Sequence, residues 1–249
     1  MWRSTAAKAV GSSHAGRSRP CQDACGVFEL DRDLLAIVVA DGAGSAERSL
    51  EGADTAVHSA LRYFRRRGDL SAADDPEWTS AVVAAIDAAR ESILDLAIQD
   101  GADVACFATT IQVVLVGPCG VAHGRVGDGG AVARIDDRLV AIARPPANSF
   151  VNETTFLTGT TFRPEVTFFQ GVVTDCAVFT DGLQPLALKL ATWEPHAPFF
   201  SPLFEFVRQT SHGAPLDEQV ETFLRSAQVD RRTDDDRALA IGVWFDNER

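Results

Sequence analysis

Three Asp-Gly pairs and one triple aspartate stand where apolar, strand-like runs stop or start. Asp41 ends IVVADGAGS, Asp128 ends HGRVGDGG, Asp181 ends CAVFTDG, and Asp234–Asp236 precede ALAIGVW. Any one Asp-Gly reads as a tight turn, because Asp tolerates unusual φ and Gly supplies positive φ. Four such places read differently, since strand ends at one rim of a sheet can bring distant carboxylates together. Like charges at that density repel unless divalent cations neutralise them. An all-oxygen donor set suits hard cations such as Mg²⁺ and Mn²⁺. A carboxylate bridging two of them lets them share a water whose pKa falls towards neutrality, and the resulting hydroxide can attack a phosphorus in line. The small residues after Asp41 (Gly42, Ala43, Gly44, Ser45) leave room for backbone carbonyls to approach a metal.

The rest of the composition agrees with that chemistry. Acidic residues outnumber basic ones by 35 to 23 in 249 residues, a net charge of −12. Such a chain is a poor partner for nucleic acid or an anionic membrane. It would also repel a phosphorylated substrate, unless bound cations supplied the missing positive field. Apolar residues make up 46% and mean hydropathy is zero, enough for a sizeable soluble core. With no repeat and no low-complexity linker, a single domain over 1–249 is expected. The five cysteines are odd in number and scattered, unlike a disulfide framework, and Cys21 and Cys25 lack the second Cys/His pair of a zinc site. The opening MWRSTAAKAVGSSHAG has no continuous apolar core and no run approaches membrane-spanning length, so the expected location is the cytoplasm.

The elements that must position the aspartates follow from periodicity. ACGVFEL (24–30) and DLLAIVVA (33–40) read as strands, the second apolar enough to be covered on both faces. Two helices come next. One carries Ala53, Val57, Ala60, Leu61 and Phe64 on a stripe; the other starts at Asp75 as N-cap with Pro76 in its first turn, and carries Val82, Ile86, Ala89, Ile93 and Leu96. Strand signals return in FATTIQVVLVG, GVAHGRVGDG, GAVARI, RLVAIA, VTFFQGVV and DCAVFTDG, and ALAIGVWF closes the chain's pattern. Pro215 opens a helix with Leu216, Val220, Phe223 and Leu224. Helices inserted between blocks of strands predict an α+β fold with antiparallel sheets. The dispersed His14, His58, His123, His196 and His212 read as incidental. Ser45 and Ser49 read as cap or surface residues, Arg65–Arg67 as a solvated helix end, and the cysteines as small core residues, with Cys21 open to oxidation.

Six segments, in order, resemble the metal-dependent protein phosphatase family of type 2C, small bacterial branch. They are SSHAGRSRPCQDA (12–24), VVADGAGSAERSLEGA (38–53), ATTIQVVLV (108–116), VGDGGAV (126–132), VFTDGL (178–183) and DDDRALAIGVW (234–244). The resemblance implies a four-layer αββα sandwich of two antiparallel β-sheets flanked by helices, with a metal cleft at one end. It implies a protein serine/threonine phosphatase using two Mg²⁺ or Mn²⁺ ions, or three. Asp41 would bridge two ions, helped by the Gly42 carbonyl; Asp181 and Asp235 would bind the first; Asp128 would serve a third, weaker site. Asp23 would hold a water on a metal, and Arg19 the substrate phosphate, with Arg17 as the competing choice because the Arg-to-Asp interval is one residue short. The implied partners are a phosphorylated protein and a Ser/Thr kinase.

The chain departs from the family pattern at Gln22, where some members have Glu, at Ala43, where some have a His, and at Ala238 and Asp236, where Thr and Asn are usual. With three aspartates in a row, Asp234 and Asp236 stay open beside Asp235. The alternative reading is a catalytically weak pseudophosphatase used as a regulatory or binding module. The segment 182–213, rich in Pro and Phe within a flap or helical elaboration over 182–234, is either a surface element flanking the cleft or a second small core packed on the sandwich.

Overall fold

The computed structural model describes residues 1–16, 19–30, 33–68, 70, 75–143, 155–211 and 215–245. In chain order its first half comprises β1 (Trp2–Ala9), α1 (Ser12–Ala15), β2 (Ala24–Glu29), β3 (Leu35–Ala40), α2 (Ser49–Arg67), α3 (Asp75–Asp100), β4 (Ile111–Gly117) and β5 (Gly120–Val126). There follow β6 (Gly130–Ile135), β7 (Arg138–Ala141), β8 (Glu165–Gln170), β9 (Val173–Phe179), α4 (Gln184–Ala187), β10 (Leu188–Lys189), β11 (Glu194–Pro195), α5 (Ala197–Gln209), α6 (Leu216–Leu224), α7 (Ala227–Asp230) and β12 (Arg237–Trp244). Two five-stranded antiparallel sheets result, ordered β1-β12-β9-β6-β7 and β2-β3-β4-β5-β8.

β3 shows why the sheets lie in the middle of four layers. Its alternate residues Leu35, Ile37 and Val39 enter the core between the sheets, while Ala36, Val38 and Ala40 face the helices. All six are buried, which a strand covered on both faces requires. Alanines at helical spacing on α2 (Ala53, Ala56, Ala60) and α3 (Ala81, Ala85, Ala89) let that layer sit close to the sheet. On the other side Phe200, Leu203, Phe204 and Val207 of α5, with Val220 and Leu224 of α6, cover Ala177, Phe179, Leu239 and Ile241. Residues 182–211 and 215–234 thus supply the fourth layer.

The α+β sandwich is the fold expected. Three local expectations fail. β1 was not foreseen; it pairs with β12 from Trp2↔Trp244 to Ala9↔Arg237. Ser49 is buried at the start of α2 rather than on the surface. α3 already includes Asp75, which therefore is not its N-cap. No helix among the described residues is long and apolar enough to cross a membrane.

Candidate active site

Asp41 stands one residue beyond β3, in a turn stapled to the segment before β4. Its backbone N–H donates to the Thr110 hydroxyl at 3.0 Å, and its carbonyl accepts from the Thr109 hydroxyl and the Thr110 N–H, each at 2.8 Å. Gly42 then passes so near other backbone that a Cβ would lie 2.7 Å from the Gln22 carbonyl oxygen and 2.8 Å from that of Ser49. Only glycine permits this approach. Both threonines are buried, so the turn is fixed from behind by satisfied polar groups.

Asp181 follows β9, the neighbour of β12. The preceding Thr180 ties three elements together: its hydroxyl donates to Asp23 Oδ2 at 2.7 Å and accepts the Ala238 N–H at 2.9 Å. Asp128 lies in the turn between β5 and β6, and its carbonyl accepts from the Gln184 side chain. The three final aspartates separate cleanly. Asp236 is buried and accepts the N–H groups of Gly11 and Gln22, each at 2.7 Å, together with His14 Nδ1 at 2.8 Å. It braces the opening segment. Asp235 and Asp236 both line the cleft, whereas Asp234 lends its carbonyl to the Ser13 N–H.

Asp41, Gly42, Asp128, Asp181 and Asp235 therefore share one cleft of about 260 Å³, with Gln22 and His14 also on its wall. Carboxylate oxygens of Asp41, Asp128 and Asp181 all lie within 4.8 Å of one another. Asp235 lines the cleft without joining that group. Among the described residues no Lys or Arg lines the cleft. Burial, followed by the charges of Asp23 and Asp181, holds the Asp41 carboxyl far above the usual carboxylate range. Burial likewise raises Asp23, against the lowering hydrogen bond from Thr180. Asp181 is pushed up to about 6 by burial, then by Asp128 and Asp235. Gln22 adds a buried Oε1 with no hydrogen-bond partner. A centre made only of oxygen acceptors, whose negative charges burden one another, fits hard divalent cations.

Arg19 is exposed and does not line the cleft; its N–H donates to the carbonyl of His14 at 3.0 Å. Arg17, its competitor, lies outside the described residues, as does His212. Two sequence readings change. His14 is not incidental, being held by Asp236 on the cleft wall. Cys21, read as open to oxidation, is half-buried, its Sγ donates to the Ala9 carbonyl, and burial, then the Asp23 and Asp236 charges, push its thiol up and so disfavour the thiolate. Thr180 and the bracing role of Asp236 are also new. The paired T-D before Gly182 was a visible signal for Thr180, but its partners were not.

Comparison with known proteins agrees with this geometry. The Protein phosphatase 2C family profile matches residues 10–225. Serine/threonine-protein phosphatase 3 of Escherichia coli (strain K12) is 34% identical over 256 residues, covering 98% of each chain. The catalytic domain of the serine threonine protein phosphatase PstP, solved with two manganese ions, superposes with a TM-score of 0.61 at 15% identity, over 98% of this chain and 99% of that one. A serine/threonine phosphatase from Staphylococcus aureus gives 0.65 at 13% identity, over 99% and 96%. By sequence and by fold, this chain belongs to the protein phosphatase 2C family.

Proposed function

We propose that the chain is a metal-dependent protein serine/threonine phosphatase, hydrolysing phosphoserine and phosphothreonine esters with Mg²⁺ or Mn²⁺. The observation that carries this reading is the convergence of Asp41, Asp128 and Asp181 within 4.8 Å, at the ends of three separate strands, in a cleft without Lys or Arg among its described lining. The same convergence favours an enzyme over a pseudophosphatase, because a binding module gains nothing from uncompensated charge.

Asp41 and the Gly42 carbonyl would hold two ions between them, Asp181 and Asp235 would complete the first site, and Asp128 would serve a third. The ions, when bound, would screen the phosphoryl charge and lower the pKa of water that they hold. Asp23, fixed by Thr180, would orient that water through a hydrogen bond. Asp236 lines the cleft too, but its carboxylate is occupied by three hydrogen bonds with Gly11, Gln22 and His14, which supports Asp235 as the member of the triplet that would bind metal. Arg19 would bind phosphoryl oxygens from the rim, where a guanidinium fork matches two of them. A Ser/Thr kinase acting on the same protein is the fitting partner. The cytoplasm is the fitting compartment for five cysteines that are all free thiols.

The test is phosphate release from phosphoserine and phosphothreonine peptides by exhaustively chelated protein, before and after Mn²⁺ is restored. The reading expects activity only with metal. Turnover that persists in chelator contradicts it.

A further inference from the structure

Beside the acidic cleft lies a second depression of opposite character, a groove of about 680 Å³ between α4, the start of α5 and the α6–α7 corner. Pro185 and Leu186 form one wall, Phe199 and Pro202 the second, and Arg231 and Arg232 stand on the third. Prolines fix φ and carry no N–H, so such walls are formed in advance and lose little freedom on binding. Among the described residues no carboxylate lines the groove, although the chain as a whole carries −12. Both arginines are exposed, and among the described residues neither guanidinium makes an ion pair or a hydrogen bond.

The groove and the cleft are lined by neighbouring stretches of the same two chain segments. Gly182 lies so tightly on the closing aspartates that a Cβ would fall 2.0 Å from the Asp236 carbonyl oxygen and 3.4 Å from Asp235 Cβ. The two segments leaving the cleft are thus in contact, and both reach the groove within a few residues: Pro185 is four residues after Asp181, and Arg232 three before Asp235. Three or four residues span at most about 10–14 Å. An extended peptide with its phosphorylated residue in the cleft is therefore long enough for residues some three to five positions away to reach the groove.

We infer that this groove docks the substrate segment flanking the phosphorylated residue, and that the segment it takes is apolar and acidic. The inference rests on the phosphatase reading and adds a substrate class to it. Apolar side chains suit the Pro and Phe walls. Carboxylates complement the two unpaired guanidiniums, which locally reverse the repulsion that a chain of −12 exerts on an anionic partner.

The experiment compares three fluorescein-labelled peptides with one phosphoserine core. One carries Leu, Phe and three Glu at three to five positions from the serine, the second has Lys for each Glu, and the third has Gly and Ser only. Anisotropy of their unphosphorylated forms in chelator reads docking without any metal, and release of phosphate with Mn²⁺ reads turnover. The expected result is at least tenfold tighter binding and tenfold higher kcat/KM for the acidic-apolar peptide than for the Lys peptide. The double variant Arg231→Glu, Arg232→Glu should invert that order while p-nitrophenyl phosphate turnover, which needs no groove, stays unchanged. Equal binding of all three peptides overturns the inference. So does a double variant that lowers p-nitrophenyl phosphate turnover as much as peptide turnover, or a wild-type dimer in sedimentation that the double variant dissolves, which would make a second copy the occupant. If the peptides bind in the expected order but none is hydrolysed with any divalent ion, the phosphatase reading fails and takes the substrate assignment with it, leaving the groove as a binding site for apolar and acidic peptides alone.

Discussion

Asp175 and Asp41 are both carboxylates withdrawn from water, and the fold treats them in opposite ways. Asp175, fully buried on β9, lies between two guanidiniums: Arg134 Nε of β6 at 2.6 Å, and Arg208 of α5 on its other oxygen. It thereby fastens the α5 layer to its sheet. Asp41 has the carboxyls of Asp23, Asp128 and Asp181 around it instead, and among the described residues no Lys or Arg lines its cleft. A buried charge that the chain neutralises belongs to the structure. Several half-buried carboxyls that the chain leaves against one another need counter-charge from outside to ionise together, and that need is what a metal centre meets.

Substitution at the two places should separate these roles. Asp41→Asn should cut phosphopeptide turnover on the order of 10³-fold, the upper range for losing one positioned electrostatic group. The thermal midpoint of the metal-free protein should hold, because Asn is close in shape to the protonated carboxyl that burial and its acidic neighbours keep at Asp41; a large fall in midpoint would make Asp41 a structural residue like Asp175. Asp175→Ala should do the reverse. It strands two arginines and should cost about 3 kcal/mol, the lower end for breaking a buried pair, since both guanidiniums keep some water. Denaturant unfolding checks the cost, and Mn²⁺ affinity of the folded fraction should be unchanged.

Asp128→Asn should be milder still. With the Asp41, Asp181 and Asp235 set intact, turnover should fall about tenfold at limiting Mn²⁺ and recover at saturation. An enzyme as inactive as Asp41→Asn at every Mn²⁺ concentration would break the proposed ranking. The smallest effect is on stability against pH. Asp181 is raised to about 6 in the fold, against about 4 for an unfolded carboxylate, so the folded state holds the extra proton between those values. The stability this lends is full below about pH 4 and is lost as pH rises through about 6; the raised Asp23–Asp41 pair extends the loss upward. The midpoint of chelated protein should therefore fall between about pH 5 and pH 8, and Mn²⁺ should abolish the decline. A midpoint that rises with pH in chelator would contradict the crowding of charge.

What the sequence disclosed, and what it hid, follows the same physical division. β3, β4 and β5 were legible because unbroken apolar runs have few other places to go, and Asp41, Asp128 and Asp181 were legible because each ends such a run before a glycine. β1 was not: of WRSTAAKA only Trp2, Thr5, Ala7 and Ala9 are buried, Trp2 on one face of the strand and the other three on the opposite one, too little on either to register as a strand signal. Nor could the order of Asp234, Asp235 and Asp236 be read, because the start of β12 decides which carboxylate turns inward to the Gly11 and Gln22 amides. His14 and Thr180 were hidden by distance, since their partners Asp236 and Asp23 lie 222 and 157 residues away. Periodicity reports on faces of elements, and only the closed fold reports on such contacts.

The central claim is that the cleft takes its missing positive charge from metal ions. Isothermal titration of Mn²⁺ into metal-free protein near pH 7, repeated in two buffers of different ionisation enthalpy, counts both the ions bound and the protons released. Two or more ions should bind with net release of protons, because the cations displace those that burial and mutual repulsion keep on Asp23 and Asp41, and Asp41→Asn should lose most of that binding. Absence of Mn²⁺ binding, or binding that releases no protons and is indifferent to Asp41→Asn, would contradict the account.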